Sequence, residues 1–320
     1  YVSQFYESNV LYRNLGREAE GWRFVPSTVV PGPNESFPTW FWDFDNDGWL
    51  DLFVGGYNMD DLGDMARSYL GEEFAADHAR LYRNVGGGDF VEITESVGVV
   101  DQVILAMGAN YGDLDNDGYP DCYIGTGIPD LRSLMPNRML RNHGGRRFED
   151  VTTAGGFGNV QKGHGVSFAD FDNDGDQDIF EVMGGAYEGD VYQNVLYENP
   201  GHGRRWLRLY PEGVHSNFGA VGGRVRVRVR QEDGSVHEIH HLIGTGGSFG
   251  ANPLAPQLGL GDAVAVELVE LTWPATNQVQ SWHGLTPDKA YRLREGEAEA
   301  IEVPLPSFRF VSGGRGHHGR

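Results

Sequence analysis

Cysteine and lysine are nearly absent from this sequence. Its 320 residues include one cysteine, Cys122, so no disulfide can form within the chain. This usage fits a cytosolic protein, and it equally fits a secreted protein that calcium stabilises in place of disulfides. Cys122 lies in an apolar, strand-like run and is expected to be a small buried side chain. The lysines are Lys162 and Lys289, so arginine carries almost all of the basic charge.

Positive charge and long apolar runs are also scarce. The formal net charge is −21, and nucleic-acid binding requires clustered lysine and arginine, so a nucleic-acid partner is not expected. No stretch approaches the ~18 consecutive apolar residues of a membrane-spanning helix, so we expect no membrane span. The chain begins at Tyr1 with no methionine and no signal-like segment, and we expect a mature, processed chain.

Glycine and aromatic residues, in contrast, are abundant. The 47 glycines suit a fold with many tight turns, and the 12% aromatic content suits β-strands. Trp40, Phe41 and Trp42 stand together and are expected to pack in a core. The composition therefore favours an all-β protein.

A repeat organises the first two thirds of the chain. LYRN, LYRN, MLRN and LYEN begin at residues 11, 81, 139 and 196, and an aspartate cluster follows each of the first three by 32, 32 and 31 residues. The clusters are DFDNDGWLD at 43–51 (loop 1), DLDNDGYPD at 113–121 (loop 2) and DFDNDGDQD at 170–178 (loop 3). The unit is about 57 residues, and short strands separated by glycine turns at this period predict propeller blades of about four strands.

An insert and a change of pattern divide the chain further. Helical spacing of apolar residues within about 58–79 predicts a short amphipathic helix, packed on a blade edge or facing a partner. After the blades (1–205), alternation in WLRLY and RVRVRVR and a D-G turn predict an antiparallel β-sandwich-like domain at 206–303. Residues 304–320 form a Pro-, Gly- and Arg-rich tail, in which 307–311 (SFRFV) is a candidate assembly strand.

The aspartate clusters are candidate calcium loops. Aspartate at positions 1, 3 and 5 lets a tight turn direct three carboxylates to one point, and glycine at position 6 permits the bend. Loop 3 also matches the EF-hand signature through Glu181 at position 12, but the other loops have Val54 and Ile124 there, and their flanks are β-rich. All three loops have aspartate at position 9, so we predict that this residue closes the coordination shell, with the position 7 backbone carbonyl as a further donor.

About three Ca²⁺ ions are therefore expected. The predicted ligands are Asp43, Asp45, Asp47, Trp49 and Asp51 in loop 1; Asp113, Asp115, Asp117, Tyr119 and Asp121 in loop 2; and Asp170, Asp172, Asp174, Asp176 and Asp178 in loop 3.

These motifs together resemble two known families. D-x-D-x-D-G-x-x-D with LYRN, G-G-x-F and trailing glycines resembles the FG-GAP/VCBS repeats of integrin-type β-propellers. The segments SNFGAVGGRVRV, PQLGLGD, LTWPATNQV and YRLREG, beginning at residues 216, 256, 271 and 291, resemble the ASPIC/UnbV domain. That domain follows such repeats in cartilage acidic proteins and their bacterial relatives. This chain departs slightly from the domain pattern, with Gly222-Gly223 for Gly-Ala and WPAT for WPSG.

The blades visible in this chain are fewer than the resemblance implies. Such propellers usually close with seven blades, whereas three loops and a fourth LYEN start leave open sheet edges. Either the C-terminal domain closes a small propeller, or a neighbour completes it. We expect copies of the chain to assemble with one another through sheet edges and the tail.

No catalytic residue is predicted. HEIHH at 237–241 contains H-E-x-x-H, but on a strand His237 and His241 would lie ~13 Å apart, too far for one zinc ion.

We expect a secreted calcium-binding structural or adhesive protein, extracellular or on the cell surface, with the periplasm as another compartment. The alternatives are a calcium-dependent glycan-binding lectin, with Trp49 and Tyr119 stacking on sugars, an accessory subunit of an envelope complex, and an enzyme on a propeller scaffold.

Overall fold

The computed structural model describes residues 1–4, 7–27, 32–59, 61–99, 102–130, 132–185 and 187–310. Within them the regular structure is almost entirely β, apart from helix α1 (Gly63–Leu70). The strands are β1 (Leu11–Glu18), β2 (Gly21–Ser27), β3 (Ser36–Trp42), β4 (Asp51–Gly56), β5 (Arg80–Asn84), β6 (Phe90–Glu92), β7 (Ala106–Gly112), β8 (Asp121–Thr126), β9 (Arg138–Asn142), β10 (Phe148–Asp150), β11 (Gly163–Ala169), β12 (Asp178–Met183), β13 (Val195–Tyr197), β14 (Arg205–Glu212), β15 (Arg224–Gln231), β16 (Val236–Leu242), β17 (Gln257–Gly261), β18 (Ala263–Thr272), β19 (Val279–Trp282), β20 (Lys289–Arg294) and β21 (Ile301–Val303).

The repeat units fold as small antiparallel sheets in a propeller-type arrangement. Two of the sheets have four strands, in the orders β3-β4-β5-β6 and β7-β8-β9-β10, and a third has the order β11-β12-β13. In each sheet the aspartate loop connects the first two strands, and the LYRN-like strand is the third. The first strands β3, β7 and β11 of successive sheets contact one another, as the inner strands of adjacent blades do. The all-β, propeller-type fold predicted from the repeat is confirmed.

Two sheets have fewer than four strands among the described residues. The β1-β2 pair carries the first LYRN on β1, so by the register of the repeat it corresponds to the third and fourth strands of a blade. The β11-β12-β13 sheet ends at the LYEN strand and corresponds to the first three. Both sheets therefore present strand edges that are not paired within the described part of the chain.

Aromatic residues from consecutive blades form the core between them. Trp40 stacks on Phe53 with ring centroids 4.3 Å apart, and Trp42 packs against Tyr111 and Phe148. Trp40 and Trp42 are both buried, as expected from the sequence, and so is Cys122. Such aromatic pairs contribute about 0.5–1.5 kcal/mol each beyond the area they bury, so this cluster holds adjacent blades together.

Helix α1 lies in the insert between the first and second blades. It is shorter than the apolar spacing predicts, because Gly71 adopts the left-handed conformation (φ 70°) and ends it. The Ser68 hydroxyl accepts a hydrogen bond from the Val103 amide, and the Arg138 guanidinium lies 5.6 Å from the centre of the Tyr69 ring. The helix therefore packs against the second blade.

The C-terminal domain consists of two four-stranded sheets, in the orders β17-β14-β20-β21 and β16-β15-β18-β19. The alternation in RVRVRVR places Val225, Val227 and Val229 in the core between the sheets. The intervening arginines face outward, where Arg226 pairs with Glu238 and Glu270. One pair, β14 with β20, is parallel, which alternation alone does not predict.

Two further segments bear on function. The HEIHH segment lies on strand β16, so its histidines follow strand spacing. Residues 304–310 form no strand, and the remainder of the tail, including the last residue of the predicted 307–311 strand, lies outside the described residues. In the described part of the chain no helix is long and apolar enough to cross a membrane.

Candidate metal centres

The backbone of the three loops follows from their sequence. Position 4 is asparagine in every loop, and Asn46, Asn116 and Asn173 have φ angles of 57°, 54° and 58°. Asparagine tolerates this left-handed region better than other residues with a side chain. Glycine at position 6 also has positive φ, from 87° to 103°. The N-D-G sequence thus bends each loop tightly enough to bring its carboxylates together.

The carboxylates at positions 1 and 9 hold the loop closed through backbone hydrogen bonds. Asp113 accepts the amides of Asp117 and Gly118 at 3.0 and 2.8 Å. Asp121 accepts the amides of Leu114 and Asn142 at 2.8 and 2.7 Å. Loops 1 and 3 repeat both patterns. Position 9 is the first residue of the outgoing strand and is buried in all three loops, so it lies beneath the turn.

Three carboxylates converge in every loop. One oxygen from each of positions 1, 3 and 9 lies within 4.8 Å of the others, in the groups Asp43–Asp45–Asp51, Asp113–Asp115–Asp121 and Asp170–Asp172–Asp178. The Oδ1 atom of the position 3 aspartate is buried without a hydrogen-bond partner in each group, at Asp45, Asp115 and Asp172. An unpartnered buried carboxylate oxygen is costly. Its recurrence at the same place in three loops fits a hard divalent cation such as Ca²⁺, which binds oxygen ligands.

Burial raises the pKa values of the carboxyl groups at positions 1 and 9 of each loop. The pKa of Asp51 rises to about 8 because burial disfavours its charge and the other loop 1 carboxylates add repulsion. Burial likewise raises the pKa of Asp43 to about 7 and that of Asp178 to about 6. The pKa of Asp121 lies well above its usual range for the same reasons. Without a cation, each loop therefore holds more negative charge than its surroundings compensate.

The predicted ligands divide into two sets. The structure brings together positions 1, 3 and 9 of each loop. The position 5 aspartates Asp47, Asp117 and Asp174 each accept the position 7 amide through Oδ1, and their role as ligands remains a prediction. The same holds for the position 7 carbonyls. Glu181, the residue that completes the EF-hand signature, lies on β12 and accepts hydrogen bonds from Tyr123 and Asn137 at 2.8 and 2.7 Å.

The asparagine of the LYRN motif is a structural residue that the sequence analysis did not identify. Asn142 donates from Nδ2 to the carbonyls of Pro120 in its own loop and Phe44 in loop 1, at 3.2 and 2.8 Å. Asn199 does the same for loops 3 and 2. Each of these asparagines therefore ties its own loop to the preceding one. The sequence did contain a signal for this role, because an asparagine of the LYRN-like motif recurs 20 to 35 residues after each aspartate cluster.

Replacing Asn142 with alanine should destabilise the protein by about 2–3 kcal/mol, because buried carbonyls in two loops lose their donor. The matched control is Asn14→Ala, at the same motif position in the first unit, where the side chain is exposed. Its cost should stay within about 0.5 kcal/mol. Urea denaturation of both variants measures the difference, and equal effects would contradict the proposed role of Asn142.

The calcium-free protein should lose stability as the pH rises from about 4 to 8. The unfolded aspartates titrate near pH 3.9, whereas the pKa values of Asp43 and Asp51 are raised to about 7 and 8. Between these values the native state binds more protons than the unfolded state, so the free energy of unfolding falls with increasing pH. The urea midpoint in EDTA should be higher at pH 5 than at pH 8. A higher midpoint at pH 8 in EDTA would contradict this account.

Comparison with known protein families supports this description of the repeats and of the C-terminal domain. Residues 43–124 and 125–181 match the FG-GAP-like repeat family, and residues 213–300 match the ASPIC and UnbV family. The chain is 27% identical over 236 residues to cartilage acidic protein 1 of Mus musculus, covering 72% of this chain and 32% of the mouse protein. It is 29% identical over 124 residues to cartilage acidic protein 1 of Xenopus tropicalis, covering 39% and 17%.

The chain spans no more than about a third of the length of these curated relatives. The repeat matches include all three aspartate loops, and the C-terminal match covers most of the two-sheet domain. Residues 43–181 are therefore FG-GAP-like repeats of the propeller type, and residues 213–300 are an ASPIC/UnbV domain.

Proposed function

We propose that this chain is a secreted, calcium-binding protein of the adhesion type, with one Ca²⁺ ion in each aspartate loop. The observation that carries the proposal is the unpartnered, buried Oδ1 atom of Asp45, Asp115 and Asp172, each beside two further carboxylates. The FG-GAP repeats and the similarity to cartilage acidic protein 1 support an extracellular location. A propeller of this family is typically not an enzyme, and we propose no catalytic residue.

Calcium acts mainly as a structural ion in this proposal. Each loop connects the two inner strands of a blade, so an ion there fixes the blade and the contact with its neighbour. Extracellular calcium modules bind with a Kd of ~10⁻⁴–10⁻³ M, which suits a calcium-rich exterior. Isothermal titration calorimetry of chelator-treated protein should give about three ions per chain, and the absence of binding at millimolar calcium would overturn the proposal.

We also propose that copies of the chain associate through unpaired strand edges. The third strand β13 has no fourth strand beside it among the described residues, and β2 exposes Trp22 and Phe24. Exposed edges with large apolar side chains favour strand addition. Light scattering after size-exclusion chromatography tests this. A monomer at all concentrations, with and without residues 304–320, would exclude it.

A calcium-dependent lectin is the second candidate. Trp49 at position 7 of loop 1 is 52% exposed, next to the carboxylate group of that loop, and exposed indole rings stack well on sugars. Tyr119, its counterpart in loop 2, is partly buried. A glycan array with and without EDTA separates the two candidates, because a purely structural calcium protein binds no glycan in either condition.

A further inference from the structure

The three aspartate loops differ in the arginine side chain that lies beside them. In loops 1 and 2 the arginine of the LYRN motif, Arg83 or Arg141, pairs with Oδ2 of the position 3 aspartate. The other oxygen of Asp45 and Asp115, Oδ1, is buried without a hydrogen-bond partner. Arg204 also pairs with Asp115, at 2.8 Å. The first two loops are therefore balanced by arginines of the repeat segment itself.

Loop 3 lacks this arrangement. Its motif is LYEN, and the register of β13 on β12 (Tyr197 opposite Ile179) places Glu198 where the other blades have arginine. Within the described residues Asp172 forms no ion pair. Loop 3 therefore has a position 3 carboxylate without an arginine and an additional acidic residue on the neighbouring strand.

The arginine beside loop 3 comes from the C-terminal domain instead. Arg208 on β14 donates to Oδ2 of Asp170 at 2.6 Å and to Oδ1 of Asn173 at 2.9 Å. Its side chain is 9% exposed, so this ion pair lies between the two domains. Gln257 on β17 adds a bond from Nε2 to the carbonyl of Gly175 at 2.8 Å, and the side chain of Gln177 donates to the Gln257 carbonyl at 3.0 Å.

The tail occupies the position beside loop 3 that a next loop would take. The position 4 asparagine of loop 1, Asn46, donates to the carbonyl of Gly118 in loop 2, and Asn116 of loop 2 donates to that of Gly175 in loop 3. Asn173 of loop 3 donates to Pro306 of the tail, at 3.3 Å. The amide of Phe308 in turn donates to the carbonyl of Asp172 at 2.9 Å.

We infer that loop 3 is a calcium site shared between the two domains, and that its occupancy governs the docking of the C-terminal domain and of residues 306–308. This inference rests on the proposed calcium binding. The C-terminal domain binds the carboxylate of Asp170 and the carbonyl of Gly175, and the tail binds the carbonyl of Asp172. Their positions depend on the loop being closed, and a bound cation closes it by cancelling the repulsion among its carboxylates.

Hydrogen exchange at the Phe308 amide reports this docking directly. In saturating calcium we expect Asp172→Asn to lower the protection of this amide by about fivefold or more, the range of a typical coupling between sites. Asp45→Asn is the matched control, because it changes the same position in loop 1, which does not contact the tail in the described residues. It should leave protection at Phe308 unchanged.

Coupling between sites is reciprocal, so weakening the docking should also weaken calcium binding at loop 3. Gln257→Ala removes the bond to Gly175 and the side-chain oxygen that accepts from Arg208, without changing the charge. Gln231→Ala removes a bond similar to the Gly175 bond, to the Leu260 carbonyl, inside the C-terminal domain. NMR titration with calcium, following the amides of Gly48, Gly118 and Gly175, resolves the three sites. We expect Gln257→Ala to weaken binding at the Gly175 site about fivefold or more and to spare the other two.

The outcomes separate this inference from the proposed function. If no amide of the three glycines responds to calcium, calcium binding itself is wrong. If all three respond but Phe308 protection is the same in Asp172→Asn and the unmodified protein, and Gln257→Ala behaves like Gln231→Ala, the shared site is wrong while calcium binding stands.

Discussion

Chelating calcium from this protein is expected to lower its melting temperature by more than about 10 °C. A site that is occupied at ~100 times its Kd adds ~2.7 kcal/mol to the free energy of unfolding, and three sites act on one fold. One kcal/mol shifts the melting temperature by about 2–4 °C in proteins of 150–250 residues, and by less in this longer chain. Three sites together contribute about 8 kcal/mol, so a fall of more than about 10 °C is expected.

Calorimetry in millimolar calcium, in EDTA, and after calcium is returned measures this effect. Magnesium at the same concentration is the control for ionic strength, and because Mg²⁺ dehydrates reluctantly it should restore little of the lost stability. A melting temperature that is the same in EDTA and in calcium would contradict the structural role of the ions.

Replacing Asp121 with asparagine should destabilise the protein in calcium and have a much smaller effect in EDTA. Asp121 is fully buried and belongs to the loop 2 carboxylate group. In calcium the variant loses a charged ligand, which costs up to about 2.7 kcal/mol at ~100 times the Kd. In EDTA it loses one backbone hydrogen bond but also a buried charge that its neighbours repel, so the two effects offset each other.

The matched control is Asp64→Asn. Asp64 is also a buried aspartate, but it lies in helix α1 and pairs with Arg67, away from the loops. Its effect on the free energy of unfolding should be the same in calcium and in EDTA. Urea denaturation of the two variants in both conditions gives the four values, and a calcium-independent effect of Asp121→Asn would show that loop 2 holds no ion.

Local features of this fold could be predicted from the sequence because they repeat. The D-x-D-x-D-G-x-x-D pattern occurs three times in register, and it predicted the positions of both the loops and the blades around them. The alternation of RVRVRVR predicted β15 and its buried valines because one face of a strand must meet the core. Glu181 illustrates the value of the repeat. The other two loops have no glutamate at position 12, which indicated that Glu181 was not a ligand.

Contacts between distant segments could not be predicted in this way. The parallel pairing of β14 with β20 joins Leu207 to Lys289, and nothing local in either strand specifies that partner. The same holds for Arg208. In the sequence it is one of many arginines, and only the packing of the two domains brings it to Asp170. Helix α1 ended early because Gly71 turned the chain, although apolar spacing continued beyond it.

X-ray diffraction from crystals grown in calcium tests the central claim most directly. The account predicts three anomalous peaks, each ~2.3–2.6 Å from carboxylate oxygens at positions 1, 3 and 9 of one loop. Loops that keep the same closed geometry at saturating calcium, with no anomalous density among their carboxylates, would contradict it.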